Sequence, residues 1–257
     1  MIKVGVAGVG AIGSVICEAI CAGRAPGMRL AAVADIVPTP YDSVRRPLAE
    51  FGEICDIIVE ALPPEHVSAL AVSALSHGKT IILSSTGTLS TYPEILQTLE
   101  NSKGRIIGPY GALTNMPGIS KLKNNDFSTV QITSTKPPAG FGLENLAAPR
   151  VMFEGHAKDA VIKYGKNANV SASLAFATGL LATQIKVKII ADPTTKHNSH
   201  HVQARGADGS EAMLDARVSN MPDPNNPKTS LGTADSVLAA LLSPDDAFFV
   251  INGGKRA

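Results

Sequence analysis

The 257-residue chain contains no tryptophan, and its phenylalanine and tyrosine together amount to only 4% of the residues. Aromatic side chains are the platforms on which proteins stack nucleic-acid bases, so a base-stacking surface is not expected. Charge is nearly balanced, with 23 Lys and Arg against 22 Asp and Glu, and no long block of one sign occurs. The composition therefore indicates neither a nucleic-acid partner nor a membrane-surface partner.

Long apolar runs are missing as well. Apolar residues make up 44% of the chain, but no uninterrupted stretch approaches the ~18 residues that a membrane-spanning helix needs. The first strand-like run begins at Ile2, which makes a secretory signal unexpected. Cysteines are few and include no C-x-x-C pair. We interpret Cys17 and Cys21 as small buried hydrophobes and expect a cytoplasmic protein.

The first apolar run leads directly into a glycine-rich turn. Residues 2–7 read as a strand, and three glycines in the spacing G-x-G-x-x-G follow it before a helical pattern. The first glycine permits a tight turn, the second lets the backbone approach a pyrophosphate, and the third lets the helix pack closely. The helix N-terminus also offers free N–H groups to phosphates. The motif predicts a nicotinamide dinucleotide site formed by Gly8, Gly10, Ala11, Ile12 and Gly13.

An acidic residue ends the next apolar run. Asp35 follows residues 30–34, about twenty residues beyond the last glycine, where the dinucleotide pattern expects a carboxylate. Such a carboxylate accepts hydrogen bonds from the ribose 2′-OH of NAD and repels the 2′-phosphate of NADP. Arg45 and Arg46 lie in the following loop and can still reach a 2′-phosphate. NAD is the favoured cofactor, and NADP stays open.

Apolar strands alternate with helices through the first 110 or so residues. Runs at residues 56–61, 79–83 and 104–108 read as further strands. Near-continuous apolar strands of this kind form parallel sheets that helices cover on both faces. Ligands bind such sheets at the carboxyl ends of the strands. This edge adds Ala61, Leu62, Ser84 and Ser85 to the predicted cofactor site.

The periodicity changes after about residue 115. Apolar and polar side chains alternate at residues 129–134, as in half-solvated strands, and further strands are predicted at residues 187–190, 201–204 and 212–217. The last two are expected to pair across a turn at residues 206–209. One buried helix is predicted at residues 169–182, and an amphipathic helix at residues 233–242.

These patterns define a fold class and domain boundaries. We predict an α/β protein with a Rossmann-type doubly wound parallel sheet and a second, α+β catalytic domain. The dinucleotide-binding domain is expected at residues 1–113 and the α+β domain at residues 114–228. A C-terminal helix within residues 229–257 is expected to pack back on the first domain.

Three of the six histidines fall within five residues, at His197, His200 and His201. No acidic or cysteine ligand lies at a typical zinc spacing, so no metal site is predicted. Imidazole titrates near neutrality, which suits a general acid or base. In an extended segment Asn198 and His200 share one face, whereas His201 points away. Geometry alone leaves the choice between His200 and His201 open.

Two segments are candidates for binding an anion. Lys136 ends a predicted strand, where its ammonium either binds an anionic substrate or is solvated. Lys228, Thr229 and Ser230 precede the last predicted helix. Their polar groups either cap that helix or bind a carboxylate at its N-terminus. Residue types alone do not separate these alternatives.

Several sequence blocks, taken in order, carry a family resemblance. They are residues 4–13 around the glycines, Lys-Pro-Pro at 136–138, Asn-Ala-Asn-Val at 167–170, Asp-Pro at 192–193, Asn-Ser-His at 198–200 and Asn-Pro-Lys-Thr-Ser at 226–230. Together they resemble the L-aspartate dehydrogenase family over nearly the whole chain. The resemblance implies a homodimeric enzyme whose α+β domain serves catalysis and dimerisation. It implies interconversion of L-aspartate with iminoaspartate, and so with oxaloacetate and ammonia, using NAD or NADP.

The resemblance also implies residue roles. The catalytic histidine of the family follows an Asn-x step, which corresponds to His200 in this sequence. That histidine would act as the general base that activates water for attack on the imine. The implied substrate-binding residues are Asn198, Lys136, Lys228, Thr229 and Ser230, and Asn169 joins the cofactor site.

Three positions depart from the family pattern. His201 stands where a glutamate commonly follows the catalytic histidine, Tyr110 replaces a small hydroxyl residue, and Thr135 replaces an arginine before Lys136. These departures keep two other readings open: a related NAD(P)-dependent dehydrogenase for another amino or keto acid, and a non-catalytic dinucleotide sensor. A lyase or isomerase that uses tightly held NAD internally is a third alternative.

Overall fold

The computed structural model describes residues 1–113, 119, 127–165, 168–206, 212–223, 229–230 and 232–254. Two compact units divide the chain, one formed by residues 1–109 with 234–257 and the other by residues 110–233. The first unit contains strands β1 (Ile2–Ala7), β2 (Met28–Ala34), β3 (Ile57–Glu60), β4 (Thr80–Leu83) and β5 (Arg105–Gly108). The second contains β6 (Phe127–Lys136), β7 (Arg150–His156), β8 (Ile185–Ala191), β9 (Asn198–Gly206) and β10 (Ala212–Asn220).

Helices and one further strand complete the two units. Those in the first half of the chain are α1 (Gly13–Cys21), α2 (Phe51–Ile54), α3 (Val67–Ser76), α4 (Thr88–Thr91) and α5 (Pro93–Glu100). Those that follow are α6 (Ala157–Tyr164), α7 (Asn169–Thr178) and α8 (Thr233–Leu242), and β11 (Phe249–Asn252) comes last. In the described ranges, none of the helices has both the length and the apolar character of a membrane-spanning segment.

The first unit is built on a six-stranded sheet in the order β11-β5-β4-β3-β1-β2. All neighbours pair in parallel except β11, which runs antiparallel to β5. Strands such as β3 and β4 are almost wholly buried, which explains their continuous apolar sequence. The chain order reverses between β1 and β3, and a sheet of this type binds ligands at the carboxyl ends of those strands. The predicted α/β class with a parallel sheet is confirmed.

The helix predicted at residues 233–242 is α8. Its Val237 and Leu241 belong to the core cluster of the first unit. After α8 the chain forms β11, whose Val250 lies in register with Ile107 of β5. The helix ends there because Ser243 and Pro244 follow it, and proline cannot continue a helix.

The second unit is built on a five-stranded sheet in the order β10-β9-β6-β8-β7. Strands β6 and β8 are parallel, and the other pairs are antiparallel, so β9 and β10 form the predicted antiparallel pair. Burial alternates along β9 from Asn198 onward, because successive side chains point to opposite faces. Helices α6 and α7 contact β8. One face of this sheet is buried, and the other is polar and half-exposed.

Two expectations were wrong in detail. Helix α7 ends at Thr178 instead of residue 182, because Gly179 adopts a left-handed conformation with φ of 73° and so terminates the helix. Cys21 is exposed at the end of α1, whereas Cys17 is fully buried as expected. All three cysteines are free thiols.

Candidate functional site

The glycine-rich turn after β1 is shaped by contacts that a side chain would break. Gly8 has a φ of +86°, and a Cβ there would lie 2.5 Å from the carbonyl oxygen of Ala61. A Cβ on Gly13 would lie 1.9 Å from the carbonyl oxygen of Gly8. A Cβ on Gly10, by contrast, would meet no atom within 4 Å. Gly8 and Gly13 therefore close the turn, while Gly10 leaves its backbone open to a ligand.

A cleft of about 860 Å³ lies at this turn. Its volume is in the range of small-molecule and cofactor sites. The predicted cofactor residues that line it are Gly8, Gly10, Asp35, Ala61 and Leu62. Ala11 and Ile12 form the turn into α1, Gly13 begins that helix, and Ser84 and Ser85 follow β4.

Asp35 connects the turn after β1 to the loop after β2. Its carboxylate accepts hydrogen bonds from the N–H groups of Val9 at 2.6 Å and Val37 at 3.1 Å. Burial alone would raise the pKa of Asp35, but these N–H groups, that of Ile36 and the charge of Arg45 outweigh it and hold the pKa below its usual value. The carboxylate is therefore ionised at neutral pH, at the rim of the cleft.

Arg45 is held by the loop that it stabilises. Its Nη1 donates to the carbonyl oxygen of Asp35 at 2.6 Å, and its Nη2 lies 2.7 Å from a carboxylate oxygen of Asp42. Arg46 also lines the cleft, and its Nη1 donates to the carbonyl oxygen of Arg45 at 2.6 Å. The charge of Arg45 is thus balanced by Asp42, which reduces its attraction for a phosphate.

Glu60 is a buried carboxylate that the sequence reasoning missed. It is fully buried at the end of β3. One carboxylate oxygen accepts the N–H of Leu62 at 2.7 Å and the hydroxyl of Ser85 at 3.1 Å, and the other accepts the N–H of Ser85 at 2.9 Å. Glu60 therefore fixes the loops after β3 and β4 to each other. The sequence did offer a signal, namely an acidic residue at the end of an apolar strand. A carboxylate buried at such a position needs hydrogen-bond donors from neighbouring loops.

The buried face of the second sheet carries a cluster of basic and polar side chains. Ser134 and Lys136 come from β6, and Asn198 and His200 come from β9; each is at most 4% exposed. Ser134 lies opposite His200 in the antiparallel pairing of these strands. The Ser134 hydroxyl oxygen lies 2.8 Å from Nδ1 of His200. Nε2 of the same ring has no hydrogen-bond partner among the described residues.

Burial determines the charge state of this cluster. Burial, with a smaller contribution from the charge of Lys136, lowers the pKa of His200 to about 3. Burial also lowers the pKa of Lys136 to about 8. At neutral pH the imidazole is therefore neutral and the lysine is mostly charged. A bound anion would raise both pKa values, because a negative charge favours the protonated forms.

His201 lies on the opposite, half-exposed face, as the alternation along β9 predicts. Its Nε2 lies 2.9 Å from a carboxylate oxygen of Asp215 on β10. The hydrogen bond from His201, against the opposing effect of burial, lowers the pKa of Asp215. His201, the position where the resemblance leads one to expect a glutamate, thus lies on the face of the sheet opposite to His200.

The remaining predicted residues also belong to the second unit. Asn169 is the first residue of α7. Ser230 is buried and pairs with Pro222, and the carbonyl oxygen of Thr229 accepts the N–H of Asp223 at 2.9 Å. Lys228 lies outside the described residues. Within the described part of the chain, no group of three or more His, Cys, Asp or Glu side chains is placed to hold a metal.

Comparison with known proteins relates both units to dehydrogenases. The family described as "Aspartate dehydrogenase, C-terminal" matches residues 118–243, and the family described as "Homoserine dehydrogenase, NAD binding domain" matches residues 8–109. L-aspartate dehydrogenase 3 of Bordetella bronchiseptica is 30% identical over 260 residues, which covers 93% of each chain. The L-aspartate dehydrogenase of Methanosarcina barkeri is 30% identical and covers 95% of this chain and 98% of its own.

A solved structure gives the same relationship. The crystal structure of aspartate dehydrogenase from Thermotoga maritima matches with a TM-score of 0.68 and 25% identity, over 94% of this chain and 95% of that chain. The glycine-rich turn, the cleft and the buried histidine thus occur in a chain that resembles these enzymes along nearly its whole length. The chain belongs to the L-aspartate dehydrogenase family.

Proposed function

We propose that this chain catalyses the NAD(P)-dependent oxidative deamination of L-aspartate and its reverse. L-aspartate would lose a hydride from Cα and a proton from nitrogen to give iminoaspartate. Addition of water to the imine, followed by loss of ammonia, would give oxaloacetate. When bound, the nicotinamide supplies the redox chemistry by accepting or returning that hydride. Family membership and the buried basic cluster support this reaction.

The observation that carries the proposal is the buried cluster on β6 and β9. His200 is neutral in the free protein, and once a bound anion has raised its pKa it can accept a proton from the water that attacks the imine. Lys136 supplies a buried positive charge for a substrate carboxylate. Asn198, on the same face as His200, would orient the substrate or the water. Lys228, Thr229 and Ser230 are the proposed residues for the second carboxylate.

The dinucleotide would bind at the glycine-rich turn of the first unit. Gly8 and Gly10 leave backbone accessible in the cleft, and the N-terminus of α1 favours phosphate groups. Ala11, Ile12, Gly13, Ala61, Leu62, Ser84, Ser85 and Asn169 remain proposed contacts. Asp35 is ionised, and Arg45 is already paired with Asp42. Both features favour NAD over NADP.

A homodimer and a cytoplasmic location complete the proposal. Dimerisation would use the α+β unit, whose sheet has one half-exposed face. Three free thiols without a disulfide are consistent with a reducing compartment. Sedimentation of the purified protein tests the dimer directly, because a monomer would contradict it.

The activity is tested by the loss of NADH absorbance with oxaloacetate and ammonium, and then with NADPH and a panel of other 2-keto acids. We expect consumption that requires ammonium and prefers oxaloacetate and NADH. Turnover of another keto acid in place of oxaloacetate would favour the related dehydrogenase, for which Tyr110 and Thr135 are the departures to examine. NADH binding without turnover of any keto acid would favour the sensor.

A further inference from the structure

We propose that Ser134 is a positioning residue that holds His200 as the neutral tautomer with its proton on Nδ1. The catalytic consequence rests on the proposed function, in which His200 acts as a base. Ser134 lies 66 positions before His200 in the sequence, and no motif of the chain singles it out. The structure brings the two side chains together on the buried face of the second sheet.

Strand pairing fixes the geometry of this contact. Ser134 and His200 lie directly opposite each other in the antiparallel pair β6–β9, where side chains of one face are close enough to interact. The hydroxyl oxygen and Nδ1 are 2.8 Å apart, and the two residues are 1% and 2% exposed. The hydrogen bond is therefore short and shielded from solvent.

The residues in register with Ser134 and His200 on the neighbouring strands are apolar and cannot compete for a hydrogen bond to Nδ1 of His200. The residue in register with His200 on β10 is Val218, and the residue in register with Ser134 on β8 is Ile189. Both are buried and apolar. Among the residues in register on these described strands, Ser134 is thus the polar partner for Nδ1.

The direction of the hydrogen bond determines what Nε2 can do. A hydroxyl both donates and accepts, and neutral imidazole carries one N–H and one bare nitrogen. If Nδ1–H donates to the Ser134 oxygen, Nε2 presents a lone pair, as a general base must. If instead the hydroxyl donates to Nδ1, Nε2 carries the proton and cannot accept another. The partner of one ring nitrogen sets the state of the other.

The surroundings of Nε2 agree with this assignment. Nε2 is buried and has no partner among the described residues, so its lone pair is not consumed by the fold. Burial and, to a smaller extent, the charge of Lys136 disfavour imidazolium, which keeps the ring neutral. In the proposed state Ser134 accepts a hydrogen bond from Nδ1–H, which holds the ring in place and leaves Nε2 as the bare nitrogen.

The test is a long-range proton–nitrogen NMR correlation of the whole protein labelled with ¹⁵N-histidine, with His200 assigned from a His200→Gln sample. We expect wild-type His200 to be neutral and protonated on Nδ1. Ser134→Ala should move protonation toward Nε2, the site that a free histidine ring prefers. It should also lower kcat about tenfold, the usual effect of one lost hydrogen bond, with a smaller change in KM. Ser134→Thr, which retains the hydroxyl, should restore both readouts.

A matched control separates positioning from stability. Thr178 is also buried and donates its hydroxyl to the carbonyl oxygen of Leu174 at 2.8 Å. Thr178→Val removes that bond and should leave the tautomer of His200 unchanged. A wild-type ring protonated on Nε2, or a tautomer that Ser134→Ala does not alter, would overturn the inference. If Ser134→Ala does not fold, Ser134→Thr and the wild-type spectrum still test the inference, because a wild-type ring protonated on Nε2 overturns it.

The same spectra distinguish this inference from the proposed function. An Nδ1–H ring in a protein that does not turn over oxaloacetate supports the role of Ser134 and counts against aspartate dehydrogenase activity. An active enzyme whose His200 is protonated on Nε2 supports the activity and overturns the role of Ser134.

Discussion

Two substitutions in the glycine-rich turn should separate folding from cofactor binding. A Cβ on Gly13 would lie 1.9 Å from the carbonyl oxygen of Gly8 and 3.0 Å from a methyl group of Val6. The first contact involves backbone, so helix α1 or the turn must move for Gly13→Ala to be accommodated. A Cβ on Gly10 meets nothing within 4 Å, and the φ of Gly10 lies outside the left-handed region. Gly10→Ala therefore fits the fold but projects a methyl group at the cleft.

The magnitudes follow from these contacts. Overpacking of this kind costs about 1–3 kcal/mol, and each kcal/mol lowers the Tm of a chain of this size by about 2–4 °C. Gly13→Ala should therefore lower Tm measurably without any ligand. Gly10→Ala should leave Tm unchanged or raise it slightly, since glycine to alanine at a permitted φ stabilises by about 0.4–1 kcal/mol. Loss of one charge-assisted hydrogen bond to a phosphate, about 1.5–3 kcal/mol, weakens NADH binding about 10- to 100-fold.

Circular dichroism melts and fluorescence titration with NADH measure the two effects on the same samples. The expected pattern is a stable Gly10→Ala with weak NADH binding and an unstable Gly13→Ala. Wild-type NADH affinity in Gly10→Ala would refute the placement of the pyrophosphate against this residue. A wild-type Tm in Gly13→Ala would refute the close packing of the turn on α1.

Three further predictions test individual side chains, two of them against a control substitution. His200→Asn should lower kcat by about 10²–10⁴-fold and leave the NADH affinity unchanged. His201→Asn, on the opposite face of the sheet, should retain most of the rate. Equal losses of kcat in the two variants would contradict the assignment of His200 as the base. Lys136→Met should stabilise the protein at pH 7 by up to about 3 kcal/mol in urea unfolding while raising the KM for oxaloacetate. The reason is that the pKa of Lys136 is 10.5 in the unfolded chain and about 8 in the folded protein. Burying the charged ammonium therefore lowers the free energy of unfolding below pH 8 and has no such cost above pH 10.5. A Lys136→Met variant that is less stable than the wild type at pH 7 would refute this reasoning. Glu60→Gln should lower the free energy of unfolding by about 1–3 kcal/mol and weaken NADH binding, because the amide nitrogen of glutamine cannot accept the hydrogen bonds that Leu62 and Ser85 donate to the carboxylate. The exposed Glu65→Gln is the control. Identical behaviour of the two variants would refute the role of Glu60.

Local patterns in the sequence predict much of the first unit. Strands such as β3 and β4 each contain three consecutive apolar residues, and their burial follows from that composition. Strand β11 was not predicted, because Phe249–Asn252 is only four residues long and pairs with a strand more than 140 positions earlier. Strand β7 was missed for a related reason. Its residues Arg150–His156 are mostly exposed or half-buried and show no clear alternation.

The candidate site shows the same division between local and long-range information. The placement of His200 and His201 on opposite faces follows from the period of two along a strand. The partner of His200, Ser134, comes from another strand, so only the pairing register brings it to the ring. Glu60 was missed although its sequence position is conspicuous, because its donors Leu62 and Ser85 lie in loops after two different strands. Sequence patterns identify which faces are buried, whereas contacts between strands decide which polar groups meet there.

If Lys136 binds the substrate as proposed, its burial near His200 would link substrate binding to the basicity of His200. With a pKa of about 3, the His200 ring of the free protein holds protons too weakly to act as an effective base near neutral pH. Burial causes most of this shift, and the charge of Lys136 adds to it. A dicarboxylate bound at Lys136 would neutralise that charge and bring a second negative charge, so the pKa of His200 would rise only in the complex. In the proposed function, the buried charge of Lys136 would thus keep His200 a weak base until the anionic substrate is bound.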